Sequence, residues 1–314
     1  MLRIATANVN GIRAAQRRGF GTWLAGRGCD VVALQEIRAQ ADKLPEAAFG
    51  DYHVALETGD IPGRNGVAVL TRTAPEAVRT WSGTALLGRP HATSADLDEV
   101  TAADHVPLAR KLRPFAAQGR CIEVDLADVP VTVANLYLPK GGLPAELQRP
   151  GSMREAPDGG ARYQRKMNFL VGFGRYLTAT RRAAAASGRE FLLMGDMNIA
   201  HTRHDLTNWR SNQKLDGFLP EERDWFDRQL SPRTLVDVVR RLHPDTDGPY
   251  SWWSWAGESF AKDVGWRIDY HLASPGLASA AVRAEVDREV NGVRLSDHAP
   301  VVVDYGRPIP PRTG

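Results

Sequence analysis

Cysteine is scarce in this chain of 314 residues, which contains only Cys29 and Cys121. Each lies beside an apolar, strand-like run, and this favours two reduced core residues over a disulfide or a cysteine-bound metal. An excess of charge of one sign is also missing, because 40 basic residues against 37 acidic ones give a formal net charge of only +3. A polyanionic partner is therefore permitted but not required, and any basic surface has to be local.

Long apolar stretches are missing as well. No run approaches the roughly 20 residues that span a bilayer, and the chain starts with a strand-like segment instead of a secretory signal. We therefore expect a cytoplasmic protein with no membrane partner. The hydrophobic fraction of 43% supplies ample material for a core. We expect one domain over residues 1–308, followed by a short tail at 309–314.

Strand-like and helix-like segments alternate along the chain. The pattern over 14–27 predicts a helix that ends at Gly28, and further helices are predicted over 162–186 and from Pro220. Residues 82–113 mix Gly, Pro, Ser, Thr and acids, which predicts a long loop or insertion with one short helix. The simplest architecture is α/β with two sheet-forming halves.

Several short apolar runs lead to a carboxylate, an amide or a phenol. Runs of this length, rich in Val, Ile and Leu, are typical of buried strands. Polar groups at strand ends can converge on one rim of a sheet, and a ring of acids and amides with one His suits a divalent metal and a phosphate ester. The residues in question are Asn8, Glu36, Tyr137, Asp196, Asn198, Asp269, Asp297 and His298.

The segment Gly195-Asp196-Met197-Asn198 is one candidate for chemistry. Asp196 could orient a water or accept its proton, and Asn198 could hold that water or a phosphate oxygen. Taken alone, the segment is interpreted equally well as an Asx turn that ends a strand.

Asp297 and His298, just before a predicted buried strand, form a more specific signal, with Asp269 ending another apolar run. An Asp bonded to a His fixes its tautomer and raises its basicity, so His298 could donate to a phosphate oxygen or act on the attacking water. No Ser or Cys lies in a nucleophile-elbow context, which argues against covalent acyl chemistry.

Glu36 is the best single metal ligand if the acids share one rim. Mg²⁺ takes one or two carboxylates, waters and a substrate phosphate, whereas zinc favours Cys and His clusters. His201 and His204 have a suggestive spacing but lack a third ligand. The aromatic segment 250–255 and Trp266 are explained either by core packing or by an exposed ring that stacks on a base or lines a sugar pocket.

Seven short motifs follow one another in a fixed order along the chain. They are Asn8-Val9-Asn10-Gly11-Ile12-Arg13-Ala14, Leu34-Gln35-Glu36, Tyr137-Leu138-Pro139, Gly195-Asp196-Met197-Asn198-Ile199, Phe218-Leu219-Pro220-Glu221-Glu222-Arg223, Trp266-Arg267-Ile268-Asp269 and Ser296-Asp297-His298-Ala299-Pro300. This ordered set resembles the exonuclease III family of abasic-site (AP) endonucleases, within the endonuclease/exonuclease/phosphatase superfamily, and the resemblance covers nearly the whole chain.

The resemblance implies a four-layer α/β sandwich, with two packed mixed β-sheets flanked by helices. It implies Mg²⁺-dependent cleavage of duplex DNA 5′ to an abasic site, leaving a 3′-hydroxyl, with Mn²⁺ as a substitute metal. It also implies 3′-phosphatase, 3′-phosphodiesterase and 3′–5′ exonuclease activity on blocked 3′ ends. We expect a monomer.

The resemblance also implies roles for individual residues. Glu36 would bind the metal, with Asn10 nearby through water and Asp297 in support. Asp196 would activate or orient the attacking water, while Asp269 would orient His298 to stabilise charge on the phosphorane. Asn8, Asn198 and Tyr137 would hold the phosphate and that water. Arg13 and Lys140 would bind the DNA. Trp252, Trp266 and Ile268 would line the pocket for the flipped-out abasic sugar.

Two other functions stay open on the sequence alone. One is a different phosphodiesterase of the superfamily that acts on RNA or small phosphate esters, and the other is a DNA-binding module without activity. The Trp-Arg-Ile-Asp and Phe-Leu-Pro-Glu-Glu-Arg segments argue against the first, and the filled acid, amide, Tyr and His positions argue against the second. Residues 82–113 and the segment after Pro139 are longer than the family pattern, which bears on substrate preference.

Overall fold

The computed structural model describes residues 1–149, 151 and 156–306, and the predicted boundary at 308 and tail at 309–314 lie outside them. Within these residues the chain forms fourteen strands and six α-helices. The strands are β1 (Leu2–Asn8), β2 (Val31–Gln35), β3 (His53–Glu57), β4 (Val67–Thr71), β5 (Ala77–Thr80), β6 (Thr84–Gly88), β7 (Asp98–Thr101), β8 (Cys121–Asp125), β9 (Val131–Tyr137), β10 (Glu190–Asp196), β11 (Val236–Asp237), β12 (Asp269–Ala273), β13 (Ala281–Val286) and β14 (Val301–Tyr305). The helices are α1 (Ile12–Arg17), α2 (Phe20–Arg27), α3 (Ala161–Ala186), α4 (Pro220–Asp227), α5 (Val238–Leu242) and α6 (Pro275–Ala280).

The strands form two mixed sheets. The larger sheet has the order β13-β14-β1-β2-β4-β3-β6-β7, and the smaller has the order β11-β12-β10-β9-β8-β5. In the smaller sheet β9 and β10 are parallel, with Tyr137 opposite Asp196, and β12 is antiparallel to β10, with Asp269 opposite Asp196. The chain therefore ends two strands and begins a third at the same rim, which brings these three side chains together.

The two sheets pack face to face through an apolar core. Residues of both contribute to it, among them Val31 and Val69 from the larger sheet and Val133 and Met194 from the smaller. The outer face of the larger sheet is covered by a cluster that includes α1 and α2, and that of the smaller sheet by a cluster that includes α3 and α4. The predicted four-layer α/β sandwich is confirmed.

A polar bridge crosses the apolar core between the sheets. Gln35 Nε2 of β2 donates to Asn135 Oδ1 of β9 at 2.7 Å. Asn135 Nδ2 in turn donates to the carbonyls of Leu34 and Ala68, each at 2.8 Å. Both amide side chains are fully buried, so breaking one bond would leave a buried polar group without a partner, at a cost of about 1–3 kcal/mol.

The predicted long loop over 82–113 is wrong in part, because β6 and β7 lie within it and extend the larger sheet. Both strands are at or next to the sheet edge, and β7 is largely exposed. An exposed edge strand does not need the apolar alternation that identifies a half-buried one, which is why composition alone indicated a loop. Short 3₁₀ turns at Ser94–Asp96 and Arg113–Phe115 complete the segment.

The helix predicted over 14–27 is divided into α1 and α2 at Gly19, whose φ of 97° is not helical. Its predicted end at Gly28 is confirmed, with φ 64°. The helices predicted over 162–186 and from Pro220 are α3 and α4. Cys29 and Cys121 are buried and free, as expected. No helix formed by the described residues is long and apolar enough to cross a membrane.

Candidate active site

The chain turns sharply after β1, β2 and β10, at the rim of the sandwich, through residues with positive φ. Asn10, Glu36 and Asn198 have φ values of 44°, 55° and 48°. Asparagine tolerates this left-handed conformation because its short side chain bonds locally, but it is strained for Glu. The backbone at Glu36 therefore places its carboxylate toward the rim at a cost of about 1–3 kcal/mol.

Asn8 joins the two sheets beneath the rim. Its Nδ2 donates to Glu36 Oε1 and to Asp196 Oδ2, each at 2.9 Å. Its Oδ1 accepts the backbone N–H of Asn10 at 3.0 Å. One buried amide thus fixes two carboxylates that come from different sheets.

Asp196 is buried at the end of β10. Its Oδ1 accepts the backbone N–H of Asn198 at 2.8 Å, and its Oδ2 faces His298 Nε2 at 3.8 Å. Burial raises the pKa of Asp196 to about 7; the carboxylates of Asp269 and Glu36 add to the rise, and His298 opposes it. Near neutral pH this carboxyl can therefore take up or give away a proton.

His298 is held by a buried carboxylate on its other side. Its Nδ1 lies 2.9 Å from Asp269 Oδ2, which also accepts Ser251 Oγ at 2.6 Å. Burial alone would lower the pKa of His298, but the negative charges of Asp269 and Asp196 raise it to about 10. The imidazole is therefore a cation at neutral pH, with Nε2 available as a donor.

Asp297 lies beside these groups and accepts three side-chain hydrogen bonds. Asn10 Nδ2 donates to it at 2.7 Å, Trp252 Nε1 at 3.1 Å and Ser296 Oγ at 3.1 Å. Burial raises the pKa of Asp297, yet the charge of His298 and these bonds outweigh it and lower the pKa overall. Asp297 therefore stays ionised.

Tyr137 lies at the end of β9 among charged groups. Burial and the carboxylates of Glu36 and Asp196 raise its pKa well above the usual range. The guanidinium carbon of Arg120 lies 5.2 Å from the centre of the ring. The phenol therefore keeps its proton and can act only as a hydrogen-bond donor or neutral acceptor.

A cavity of about 370 Å³ opens over these groups. Trp252, Trp266 and Ile268 form one side, and the rings of the two tryptophans meet edge to face with centroids 6.4 Å apart. Lys140 is exposed at the lining. Asn8 and Asp269 are buried and lie outside the lining, and Arg13 lies exposed on α1 and does not line the cavity.

Oxygen-rich groups in this cavity suit a divalent cation. One ligand atom from each of Glu36, Asp196 and His298 lies within 4.8 Å of the other two. Because the protonated imidazole of His298 binds no cation, the two carboxylates are the candidate ligands. Glu36 Oε2 is buried and accepts no hydrogen bond from the described residues, although it touches the Arg38 guanidinium. A buried carboxylate oxygen that accepts no hydrogen bond is a fitting place for a metal ion, which would take the place of the Arg38 guanidinium there.

Three residues important to this arrangement were not identified from the sequence. Arg38 touches Glu36 and donates to Asn10 Oδ1 at 2.6 Å, and Ser251 bonds Asp269. Lys166 in α3 donates from Nζ to the backbone carbonyl of Asn198 at 2.8 Å. Arg38 follows Glu36 by two residues, so its position beside that motif was a signal in the sequence, whereas the contacts of Ser251 and Lys166 depend on tertiary packing.

His201 and His204, whose spacing lacked a third metal ligand in the sequence, each pair with a carboxylate. His201 pairs with Asp227 and His204 with Asp247, each at 2.8 Å. The aromatic segment does divide between the interior and the surface, because Trp253 is buried at 1% exposure while Trp255 is 53% exposed.

Comparison with known proteins gives a consistent result. Residues 5–298 match the Endonuclease/Exonuclease/phosphatase family. The chain is 28% identical to an exodeoxyribonuclease of Bacillus subtilis, with 96% of this chain and 98% of the relative covered. It is 27% identical to the DNA repair nuclease APEX1 of Danio rerio, with 96% and 81% covered. The structure of an AP endonuclease from Archaeoglobus fulgidus superposes with a TM-score of 0.73 at 26% identity, with 97% and 99% covered.

Proposed function

Because the chain belongs to the Endonuclease/Exonuclease/phosphatase family and is a nuclease of the exonuclease III type, we propose that it repairs abasic sites in duplex DNA. It cleaves the phosphodiester bond 5′ to the abasic site by hydrolysis and leaves a 3′-hydroxyl. The observation that carries this proposal is the buried series Asp269–His298–Asp196 beside a small cavity with two tryptophans.

The two pKa shifts divide the acid and base roles. His298 carries a proton at neutral pH and donates from Nε2 to a non-bridging phosphate oxygen, where negative charge grows in the transition state. Asp196 has a pKa of about 7, close to the value that suits a general base, and accepts the proton of the attacking water.

The remaining polar groups position the reacting atoms. Asn198 Nδ2 donates to the carbonyl of Leu138 at 2.9 Å and to Asp196 Oδ2 at 3.2 Å, which fixes its amide next to the proposed water. Tyr137 keeps its proton and donates to the phosphate. Since Asn8 holds both Glu36 and Asp196, the proposed metal ligand and the proposed base keep a constant separation.

Glu36 is the first ligand that we propose for Mg²⁺, with Asn10 and Asp297 beside it. When bound, the ion supplies Lewis-acid stabilisation of the charge on the phosphate and the leaving oxygen. Mn²⁺ is expected to substitute because it prefers similar ligands.

The side of the cavity formed by Trp252, Trp266 and Ile268 is the proposed pocket for the abasic sugar. Such a pocket accepts a deoxyribose without its base and excludes a normal nucleotide by size. Removal of 3′-blocking groups and of 3′ nucleotides uses the same phosphate chemistry, and the likeness to an exodeoxyribonuclease supports it.

A cleavage assay tests this proposal. The substrates are a duplex with one central abasic analogue, an undamaged duplex, and a duplex with a recessed 3′ end, each with Mg²⁺ or EDTA. We expect Mg²⁺-dependent cutting at the analogue, a product that a polymerase extends from its 3′-hydroxyl, and no internal cut in the undamaged duplex. Asp196→Asn should bind but not cut. Cleavage of RNA or a small phosphate ester, with no cleavage of the abasic duplex or of the recessed 3′ end, would overturn the proposal.

A further inference from the structure

Basic charge is concentrated in two segments that pack against each other on the outer side of the smaller sheet. Helix α3 contains six basic and no acidic residues, and residues 109–120 contain four basic and no acidic residues. Since the whole chain carries only +3, everything outside these segments carries −7. The near-neutral total therefore conceals a local excess of positive charge in these two segments.

The two segments enclose a groove of about 920 Å³. Its cationic lining consists of Arg110, Lys111, Arg165 and Arg175, all exposed, and no acidic residue lines it. Along α3, Arg165 and Arg175 are ten residues apart, which is about 15 Å at 1.5 Å per residue. The groove is thus a cationic channel and not a point site for a single anion.

Apolar anchors hold residues 109–115 against the helix. Leu112 and Phe115 are buried in the cluster that covers the outer face of the smaller sheet. Gly172 lies opposite Leu112, and a Cβ at Gly172 would come within 2.8 Å of Leu112 Cγ. Because the absence of that side chain permits the close approach, the backbone that carries Arg110 and Lys111 is held against α3.

The groove is connected to the active site. Gln118 Oε1 accepts hydrogen bonds from Arg165 at 2.9 Å and from Arg120 at 3.0 Å. Arg120 in turn lies over the ring of Tyr137 at the catalytic cavity. Gln118 therefore links Arg165 of the groove to the buried Arg120, which lies against the proposed phosphate-binding Tyr137.

We propose that this groove binds the sugar-phosphate backbone of the DNA substrate on one side of the lesion, beyond the nucleotides held in the catalytic cavity. That the bound polyanion is DNA rests on the proposed function. About 15 Å of duplex axis carries about nine phosphates, one per 1.7 Å. A polyanion of regular spacing matches an elongated basic groove whose two walls are held together by buried apolar residues, and such contacts set register without reading sequence.

The test compares two triple variants that each remove three positive charges. Arg110→Ala/Lys111→Ala/Arg175→Ala alters the groove. The control, Lys43→Ala/Arg89→Ala/Arg283→Ala, alters exposed residues that line neither cavity. Binding to abasic-analogue duplexes is measured by fluorescence anisotropy in EDTA over a range of salt concentrations. The duplexes are short on both sides of the lesion, or extended by about ten base pairs on the 5′ or the 3′ side only.

We expect the groove variant to bind one of the extended duplexes about ten-fold or more weakly than the control variant does, with a salt slope reduced by about 2–3. Binding and cleavage of the short duplex should equal those of the control, which also establishes that the variant is folded. Equal affinity of the two variants for all extended duplexes would overturn the proposal, and so would an equal loss on short and extended ones. If the wild-type protein cuts no abasic duplex but shows the length-dependent difference, the proposed function fails and the groove assignment stands.

Discussion

Lys166 Nζ donates a 2.8 Å hydrogen bond to the backbone carbonyl of Asn198 and forms a 2.6 Å ion pair with Glu222. Lys166 belongs to α3, Glu222 to α4, and both side chains are about 1% exposed. Glu222 Oε2 also accepts the backbone N–H of Leu219 at 3.0 Å. A buried ion pair therefore connects two helices to the turn that carries the proposed water-binding amide.

Replacing Lys166 by Met should destabilise the protein by about 3–5 kcal/mol, because the change leaves the Glu222 carboxylate buried without its counter-charge. Urea unfolding at neutral pH measures the loss. The double variant Lys166→Met/Glu222→Gln removes both charges and should recover part of the stability. If the double variant were no more stable than Lys166→Met, the uncompensated charge would not be the cause.

The contact between Asp269 and His298 leads to a prediction about catalysis. Asp269→Asn keeps the shape of the side chain but removes the charge that stabilises the imidazolium, and we expect kcat to fall about 10²–10⁴-fold with little change in duplex affinity. Ser251→Ala removes only one hydrogen bond to Asp269 and should have a smaller effect. Single-turnover cleavage with saturating enzyme measures the rate of the chemical step for each variant, independently of duplex affinity. A near-normal rate for Asp269→Asn would contradict the assigned role of His298.

The pH dependence of kcat/KM should be bell-shaped. Burial raises the pKa of Asp196 to about 7, so the rate should rise with pH through that value as the base loses its proton. For His298 burial favours the neutral form, but Asp269 and Asp196 outweigh it and raise the pKa to about 10, so the rate should fall near that value.

Asp269→Asn gives the matched comparison, because removing its charge lowers the pKa of His298. The falling limb should then move to lower pH, while the rising limb should move little or slightly toward acid. A falling limb that stays in place would show that another group controls it.

Pocket size should control the rejection of intact nucleotides. Ile268 is 6% exposed and lines the cavity with Trp252 and Trp266. Ile268→Ala enlarges this side and should raise cutting of undamaged duplex relative to abasic duplex by about 10-fold, since a few methylene groups are worth about 1–3 kcal/mol of discrimination. The ratio of kcat/KM for the two duplexes is the measurement, and Val293→Ala, at an exposed position outside the cavity lining, is the control.

Much of the site was predictable because strand ends are visible in sequence. The apolar runs before Asn8, Glu36, Tyr137 and Asp196 indicated buried strands, and parallel neighbours place their ends at one rim. Asp269 was expected to end a run, whereas it begins β12. The error had no consequence for the site, because β12 is antiparallel to β10 and its first residue meets the last residue of β10.

What the sequence could not supply depends on distant packing. The strands β6 and β7 lack a clear apolar alternation because β7 is largely exposed on both faces and β6 is buried only at Ala85 and Gly88. The contact of Ser251 with Asp269 joins residues 18 positions apart, and that of Lys166 with Asn198 joins residues 32 apart. No local pattern encodes such pairs. The charge of α3 was readable, but its pairing with residues 109–120 required the structure.

The bridge between Gln35 and Asn135 has a consequence for how the protein can vary. The proposed metal ligand follows one sheet and the proposed base ends the other, so a slip of one residue between the sheets would separate them by about 3.3 Å. Because this bridge lies in the interior and directly precedes Glu36, the alignment of the two halves does not depend on the loops around the rim. Rim loops that carry none of the site residues can therefore differ in length or charge while the carboxylates of Glu36 and Asp196 keep their separation.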